Sequence, residues 1–311
     1  MPYKLHFPLD EGAVSWLVNR AVLSPIRVSS LNHLGIDQEK FIAIFKPFFE
    51  ELPWDPYDVR RLQVNHLKSC FPEEASAIQT LFKPYYLGQI PFEKFAPWIE
   101  KLTAAQQTEL AKIQPWRRRS VAQFLISDKG DRMHIKREPV EQFAQEVAGD
   151  DYRSLPRIFE EAPAEHVENK LFYQWMVKIF LIAQKVRPEA KQVRMVAHFM
   201  SVKALPAKPG NNSPEGAHED GADYIVSALV IKRQNVKGGE SQIIEKLPDD
   251  TKEIIFQHKL AEGEFIFQGD SKDEIIHGTD LWHHVTPFSI ADPEIGEGWR
   301  DIIGFDINIV G

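Results

Sequence analysis

The chain changes its hydrophobic period near residue 191, and this change constrains the fold more than any other feature of the sequence. After that point, apolar and polar residues alternate over short segments, which is typical of half-buried strands. Turn signals rich in Gly, Pro, Asn and Asp separate several of these segments. Many short strands without intervening helices favour an antiparallel sandwich or barrel of the jelly-roll type. The predicted strands cover residues 193–202, 224–233, 241–245, 253–257, 264–268, 280–285 and 301–310.

Before that point the spacing of apolar residues is mostly helical. In residues 31–111 they recur three and four positions apart, as on one face of a helix. Prolines interrupt this segment repeatedly, so we expect its helices to be short. Residues 120–126 predict a strand, and a longer apolar stripe over residues 169–185 predicts a packed core helix.

Composition narrows the class of protein and of site. The 311-residue chain carries 37 Lys and Arg against 45 Asp and Glu, a net charge of −8, so nothing suggests a nucleic acid or an anionic membrane as a partner. No apolar run is long enough to cross a bilayer, and the N-terminus lacks the apolar core of a secretion signal. We therefore expect a cytoplasmic protein. Because Cys70 is the only cysteine, a metal site must use histidine and carboxylate ligands.

A His-x-Asp sequence stands just before the predicted strand that begins at Tyr224. In extended backbone, His218 and Asp220 point to the same face, while Glu219 points to the other. One imidazole and one carboxylate do not complete a metal site. A third ligand would give a facial triad with open coordination positions, which suits non-haem Fe(II) and oxygen chemistry.

The third ligand is expected on a later strand that faces the same site. His283 and His284 are neighbours on one predicted strand and point to opposite faces, so at most one of them shares a face with the metal. His258 and His277 are competitors. His277 lies in a polar, turn-like segment and His258 follows a charged strand, so a surface position is expected for both.

Four sequence blocks carry a resemblance to a known family. They are PEGAHEDGADY at residues 214–224, RQNVKGGES at 233–241, WHHVTP at 282–287 and RDI at 300–302, with a weaker match, LPRIF, at 155–159. In this order they resemble the Fe(II)/2-oxoglutarate dioxygenases that include bacterial free-amino-acid hydroxylases such as isoleucine 4-hydroxylase. The resemblance does not reach the first 112 or so residues.

The resemblance implies an α+β protein whose core is a double-stranded β-helix, the jelly-roll or cupin-like fold. It implies a jelly-roll oxygenase domain over residues 113–311, preceded by a helical extension over residues 1–112 that serves as a lid or an interface. That extension is rich in aromatic residues, and a homodimer contact is one use for it.

The resemblance also assigns the metal and co-substrate residues. His218, Asp220 and His283 match the ligands of Fe(II), and Arg300 matches the residue that pairs with the distal carboxylate of 2-oxoglutarate. A bidentate guanidinium–carboxylate pair is strong and selective, which suits that role. Better-known relatives place a Ser two residues after this Arg, where this chain has Ile302. O2 is the second co-substrate that the resemblance implies.

The implied reaction oxidises an unactivated C–H of a free L-amino acid or a related natural-product precursor, with release of succinate and CO2. Arg157 and Arg194 are candidates for binding a substrate carboxylate. Tyr224 is a further binding candidate, and with Ser241 it is also a guess for the missing co-substrate hydroxyl. Hydroxylation, desaturation and cyclisation use the same ligands and stay open. Halogenation is disfavoured, because Asp220 fills the coordination position that halogenases leave for chloride.

Three alternatives stay open at this point. The chain is a jelly-roll metalloenzyme that does not use 2-oxoglutarate, or it is a jelly-roll binding module with a degenerate metal site. The third alternative concerns only the substrate, which is then a peptide or carrier-bound residue instead of a free amino acid. Arg300 discriminates the first alternative, since only a 2-oxoglutarate enzyme needs it.

Overall fold

The computed structural model describes residues 25–130, 132–140, 155–273 and 278–310. Within these ranges the chain combines helices with antiparallel strand pairings. The helices are α1 Gln38–Glu51, α2 Tyr57–Cys70, α3 Ala75–Thr80, α4 Phe82–Tyr86, α5 Ala96–Ile99, α6 Ala104–Ala111, α7 Ala164–Val167 and α8 Lys170–Val186. The strands are β1 Ile26–Ser30, β2 Arg117–Asp128, β3 Met133–Glu138, β4 Gln192–Ala204, β5 Tyr224–Gln234, β6 Val236–Gly238, β7 Ser241–Lys246, β8 Lys252–His258, β9 Glu264–Gly269, β10 Asp280–Val285, β11 Phe288–Ile290 and β12 Gly298–Ile309.

The largest sheet has seven strands in the order β1-β9-β5-β12-β4-β2-β3. Strand β12 lies in its centre and pairs antiparallel with β4 on one side and with β5 on the other. The β12–β4 register is regular and places Arg300 opposite Val202 and Gly304 opposite His198. A smaller sheet has the order β10-β7-β8, and β11 pairs with β6.

Helices α1 and α8 bury their apolar faces in one hydrophobic core with the large sheet. Helix α8 begins at the cap residue Asn169, whose side chain accepts from the N–H of Phe172. Trp175 is fully buried and lies against Phe305 of β12, with ring centroids 4.5 Å apart. Phe45 of α1 stacks on Phe199 of β4. The aromatic density of these segments therefore fills the space between the helices and the sheet.

Alternation along β4 and β12 gives the sheet two different faces. Residues 195, 197 and 199 of β4 and residues 303, 305 and 307 of β12 belong to the helix-packed core. Their neighbours point to the opposite face. On that opposite face lie His198, Arg300 and Asp306, so this face carries polar and charged side chains although most of it is shielded from solvent.

The chain divides into two compact units, Met1–Leu52 with Arg119–Val140 and Glu160–Gly311, and Pro53–Arg118 with Glu141–Phe159. The second unit has its own small core between α2 and the short helices that follow it. In that unit Arg117 forms buried ion pairs with Asp55 at 3.0 Å and Asp58 at 2.6 Å. None of the helices in the described ranges is long and apolar enough to cross a membrane.

The predicted strands and the long helix are observed with small shifts at their ends, and the helices before residue 112 are short except α1 and α2. The sequence patterns missed β1, β3, β6 and β11. The compact units also differ from the expected division at residues 112 and 113, because β1 and α1 cluster with the large sheet. The physical reason is burial, since α1 places Phe41 and Phe45 in the core that covers that sheet.

We expect Trp175→Ala to lower the free energy of unfolding by about 3–5 kcal/mol, because it leaves a large cavity between α8 and the sheet. Leu181→Ala is the matched control on the same helix, where the side chain is 38% exposed. Its expected change is within about 0.5 kcal/mol. Denaturant unfolding followed by circular dichroism measures both. Equal losses in the two variants would contradict the packing described here.

Candidate metal centre

Three ligand-type side chains converge where the loop before β5 meets β10. His218 and His283 form an antiparallel bridge, with the N–H of each donating to the carbonyl of the other at 3.1 and 3.0 Å. Asp220 then lies between the two imidazoles: its Oδ1 is 3.5 Å from His218 Nε2 and its Oδ2 is 3.4 Å from His283 Nε2. In the described ranges, His218, Asp220 and His283 are the group of three whose ligand atoms all lie within 4.8 Å of one another.

A buried carboxylate fixes the turn that carries Asp220. Asp270, directly after β9, accepts the N–H of Asp220 at 3.2 Å and the N–H of Ala222 at 2.7 Å. Gly221 between them has a φ of +87°, in the left-handed region that favours glycine. Asp270 therefore fixes the backbone of the turn, and the Asp220 side chain projects toward the two imidazoles. Asp270 lies 50 positions from Asp220, and no motif in the sequence pointed to it.

The cluster carries opposing charges with little solvent around them. Burial opposes charge on His218, but the hydrogen bond and charge of Asp220, with the charge of Glu215, outweigh it and raise the pKa of His218 to about 9. Burial and the charge of His218 lower the pKa of His283 to about 4. Burial also acts to raise the pKa of Asp220, but the two histidines hold it well below its usual range. The cluster offers the Asp220 carboxylate, the neutral His283 imidazole and the His218 imidazole, whose proton a metal ion can displace. This donor set fits a divalent cation.

Two guanidinium groups lie close together at the start of β12. Arg300 is fully buried and donates from Nη1 to Asn212 Oδ1 at 3.0 Å, while its Nε and Nη2 have no hydrogen-bond partner among the described residues. Burial and the charge of Arg233 lower the pKa of Arg300 to about 9. Arg233 itself donates to the carbonyls of Gly238 and Gly239. Because buried donors and like charges are costly without partners, this arrangement fits a carboxylate ligand. Arg233 is the first residue of the RQNVKGGES block, and its sequence position alone did not indicate this role.

The remaining candidates lie elsewhere. Tyr224 is buried in the helix-packed core, stacked on Phe267. Arg194 lies on β4 with its side chain 43% exposed and pairs with Glu138 at 3.2 Å. Arg157 is buried in the second compact unit.

Of the two histidines that compete with His283, His258 is not part of the cluster and pairs with Glu264 at 3.6 Å. His277 lies outside the described residues. His284 is half-buried next to His283, and burial lowers its pKa. Ser241, suggested as a co-substrate hydroxyl, is buried on β7, and its Oγ has no hydrogen-bond partner in the part of the chain described.

A family model described as 2OG-Fe dioxygenase matches residues 101–306, which is most of the chain. The chain belongs to the 2OG-Fe dioxygenase family. It is therefore an oxidoreductase, a non-haem dioxygenase that uses Fe(II), 2-oxoglutarate and O2, and its family acts on small-molecule substrates. The matched range contains all three residues of the His-Asp-His cluster and also Arg300. A search of curated protein sequences gave no match.

Solved structures similar to this dioxygenase include a BsmA homologue from Methylobium petroleophilum PM1, 16% identical over 91% of this chain and 88% of that one, with a TM-score of 0.57. IDO from Bacillus thuringiensis is 19% identical over 63% of this chain and 79% of its own, with a TM-score of 0.48. The Fe(II)/α-ketoglutarate-dependent dioxygenase TqaL is 14% identical over 80% and 89%, with a TM-score of 0.43. At 16% identity and a TM-score of 0.57, the BsmA homologue shows that this chain has a similar fold.

We expect His283→Ala to weaken metal binding by at least a hundredfold, because two ligands remain where three are needed for a facial site. His284→Ala is the matched control: the imidazole it removes is the neighbour on the other face of β10, and metal affinity stays within about threefold. Titration with Co(II) as a spectroscopic substitute for Fe(II) measures both variants. Loss of binding in His284→Ala with retention in His283→Ala would reverse the assignment.

Metal affinity is expected to fall as the pH falls. With the pKa of His218 raised to about 9 and that of His283 lowered to about 4, one proton sits on the cluster at neutral pH and leaves when the metal binds. The affinity should therefore rise about tenfold per pH unit between pH 6 and 8. Calorimetry in two buffers of different ionisation enthalpy measures the released proton. An affinity that is independent of pH across this range would contradict the charge state described.

Proposed function

We propose that this dioxygenase oxidises an unactivated C–H of a free L-amino acid or an amino-acid-derived natural-product precursor, by hydroxylation or oxidative cyclisation. His218, Asp220 and His283 hold the Fe(II), and Arg300 holds 2-oxoglutarate. When bound, the metal and its co-substrates supply the oxidising power, converting 2-oxoglutarate and O2 into succinate and CO2 as the substrate is oxidised. The protein binds and orients the reactants and excludes water.

The observation that carries this proposal is the buried Arg300 guanidinium with two unpartnered nitrogens, in the same compact unit as the His-Asp-His cluster. A cupin-like metalloenzyme without 2-oxoglutarate has no use for a buried cation of this kind, and a binding module has no use for the combination. Arg233 adds a second positive charge beside Arg300, which favours an anionic ligand further. The two unpartnered nitrogens supply the parallel donors that a carboxylate accepts.

We further propose that the sheets form a jelly-roll core. The order β9-β5-β12-β4 in the large sheet and the pairing of β10 with β7 in the small one support it, because these neighbouring strands are not consecutive in sequence. The bridge between His218 and His283 adds the loop before β5 to the edge of the small sheet. The metal ligands then lie between the sheets, at one end of the core.

An amino-acid substrate is supported by the four sequence blocks, which match free-amino-acid hydroxylases in order. Among the three substrate candidates, Arg194 has support from its position, since it lies on the same face of β4 as His198 and is partly exposed. For Arg157 and Tyr224 as substrate-binding residues, the support comes from the sequence.

Turnover with Fe(II), 2-oxoglutarate and a panel of free amino acids, followed by mass spectrometry, tests the proposed reaction. The expected product gains one oxygen, or loses two hydrogens on cyclisation, with about one succinate formed per product. Peptides and carrier-bound residues are the comparison set. Oxidation confined to that set would overturn the free-amino-acid proposal, and no succinate with any compound would favour the non-catalytic alternative.

We expect Arg300→Ala to weaken 2-oxoglutarate binding by about a hundredfold or more, because a buried carboxylate loses its charged partner. Arg300→Lys keeps the charge but not the paired donors, so its loss should be intermediate. Anaerobic calorimetry with the Fe(II)-loaded protein measures both, and Co(II) affinity serves as the control for intact folding. If Arg300→Ala binds 2-oxoglutarate as tightly as the natural chain, the co-substrate assignment is wrong.

A further inference from the structure

A second polar cluster lies on the face of β4 and β12 that carries Arg300. On β4, Ala197 and Phe199 belong to the helix-packed core, so His198 between them points away from the helices. On β12, Phe305 and Ile307 belong to the same core, so Asp306 between them also points to the opposite face. Neither the metal ligands nor the 2-oxoglutarate residues account for these two side chains.

The cluster is connected by hydrogen bonds in one direction. Arg119 Nη2 lies 3.3 Å from His198 Nδ1, and His198 Nε2 lies 2.8 Å from Asp306 Oδ2. A guanidinium can only donate, so Nδ1 of His198 is the acceptor and Nε2 carries the proton that Asp306 accepts. His198 is thereby held in a fixed orientation, and it contacts the Asp306 carboxylate.

The cluster is close to the metal centre. The charge of Asp306 is one of the influences that raise the pKa of Asp270, the residue that holds the turn of Asp220. On β4, the next residue with the same orientation as His198 is Met200, whose sulfur lies 3.6 Å from the Asn212 amide that also contacts Arg300. One face of the sheet thus runs from the 2-oxoglutarate residue to His198 and Asp306.

The Asp306 carboxylate is partly open to solvent. Gly304, two residues before it on the same face of β12, carries no side chain, and a Cβ built there would be in van der Waals contact with the carbonyl oxygen of Val226 at 3.4 Å and with His198 Cβ at 4.0 Å. The Asp306 side chain is 14% exposed. Among the described residues, His198 is its side-chain hydrogen-bond partner.

Asp306 is a mostly buried carboxylate whose described side-chain hydrogen bond is to His198, so a cationic ligand group would stabilise it further. We propose that Asp306 binds the protonated amine of the substrate, with His198 and Arg119 as positioning residues. This inference rests on the proposed function and deepens it. It specifies a substrate that carries a free ammonium group, so an internal residue of a peptide, whose nitrogen is acylated, is excluded.

The experiment compares an amino acid that the natural enzyme oxidises with its α-hydroxy and N-acetyl analogues. The enzyme should prefer the free amine about a hundredfold in kcat/KM. Asp306→Asn removes the charge and keeps the shape. We expect it to lower kcat/KM for the amino acid about a hundredfold and to leave the α-hydroxy analogue within about threefold, so that the preference is lost. Co(II) and 2-oxoglutarate affinities should stay unchanged, which shows that the variant is folded.

Asp301→Asn is the matched control. Asp301 also lies on β12 and also pairs with a β4 residue, accepting from Ser201 Oγ at 2.5 Å, but it has the opposite orientation from Arg300. Its variant should keep the preference for the amine. His198→Gln, whose amide can still donate to Asp306, should keep more of that preference than His198→Ala.

The outcomes separate the two proposals. If the natural enzyme oxidises an amino acid and Asp306→Asn retains the preference for the amine, the inference about Asp306 is wrong and the proposed function stands. If the natural enzyme oxidises the N-acetyl analogue equally well, the ammonium requirement is wrong. If it oxidises no compound with a free amine, the amino-acid proposal and this inference are both overturned, while 2-oxoglutarate binding still tests the co-substrate role of Arg300.

Discussion

The site of this dioxygenase depends on the alternation of side chains along two neighbouring strands. In β4 and β12 every second residue packs against helices α1 and α8, and this fixes which face the residues between them must take. A shift of one residue in the register would move Arg300 and Asp306 into the apolar core and expose Phe305. The aromatic packing under the sheet therefore maintains the register that keeps the polar residues on their face. Stability and function are properties of the same two strands.

Electrostatics explains why the polar face needs ligands. Arg300 and Arg233 bring like charges together in a buried region, while the metal cluster contains the Asp220 carboxylate and the Arg300 face of the sheet carries the Asp306 carboxylate. Each group is costly to bury alone, and each is of the sign that a reactant of this family would neutralise. A metal cation would bind the carboxylate and the imidazoles, and an anionic co-substrate would neutralise the guanidinium groups. The folded chain thus holds these side chains ready for its ligands, and the unpaired buried charges lower its stability until the ligands bind.

The sequence predicted more of the fold than of the site's support. The sequence patterns located eight strands and the long helix, because burial on one face leaves a direct pattern. Short edge strands such as β6 and β11 have too few residues for a pattern. The His-x-Asp pair and Arg300 belong to contiguous blocks, and the structure brings the predicted cluster together. Asp270, Arg233 and the pair of His198 with Asp306 act through contacts between strands far apart in sequence, which no local spacing encodes.

The metal centre also has a mechanical consequence. His218 is tied to the small sheet by its backbone bridge to β10, whereas Asp220, two residues later, is tied through Asp270 to the end of β9 in the large sheet. An ion held by both residues and by His283 would connect the small sheet to the large sheet. We therefore expect the ion to be released only when the two sheets separate at this end. The rate of metal release would then measure how often this local opening occurs.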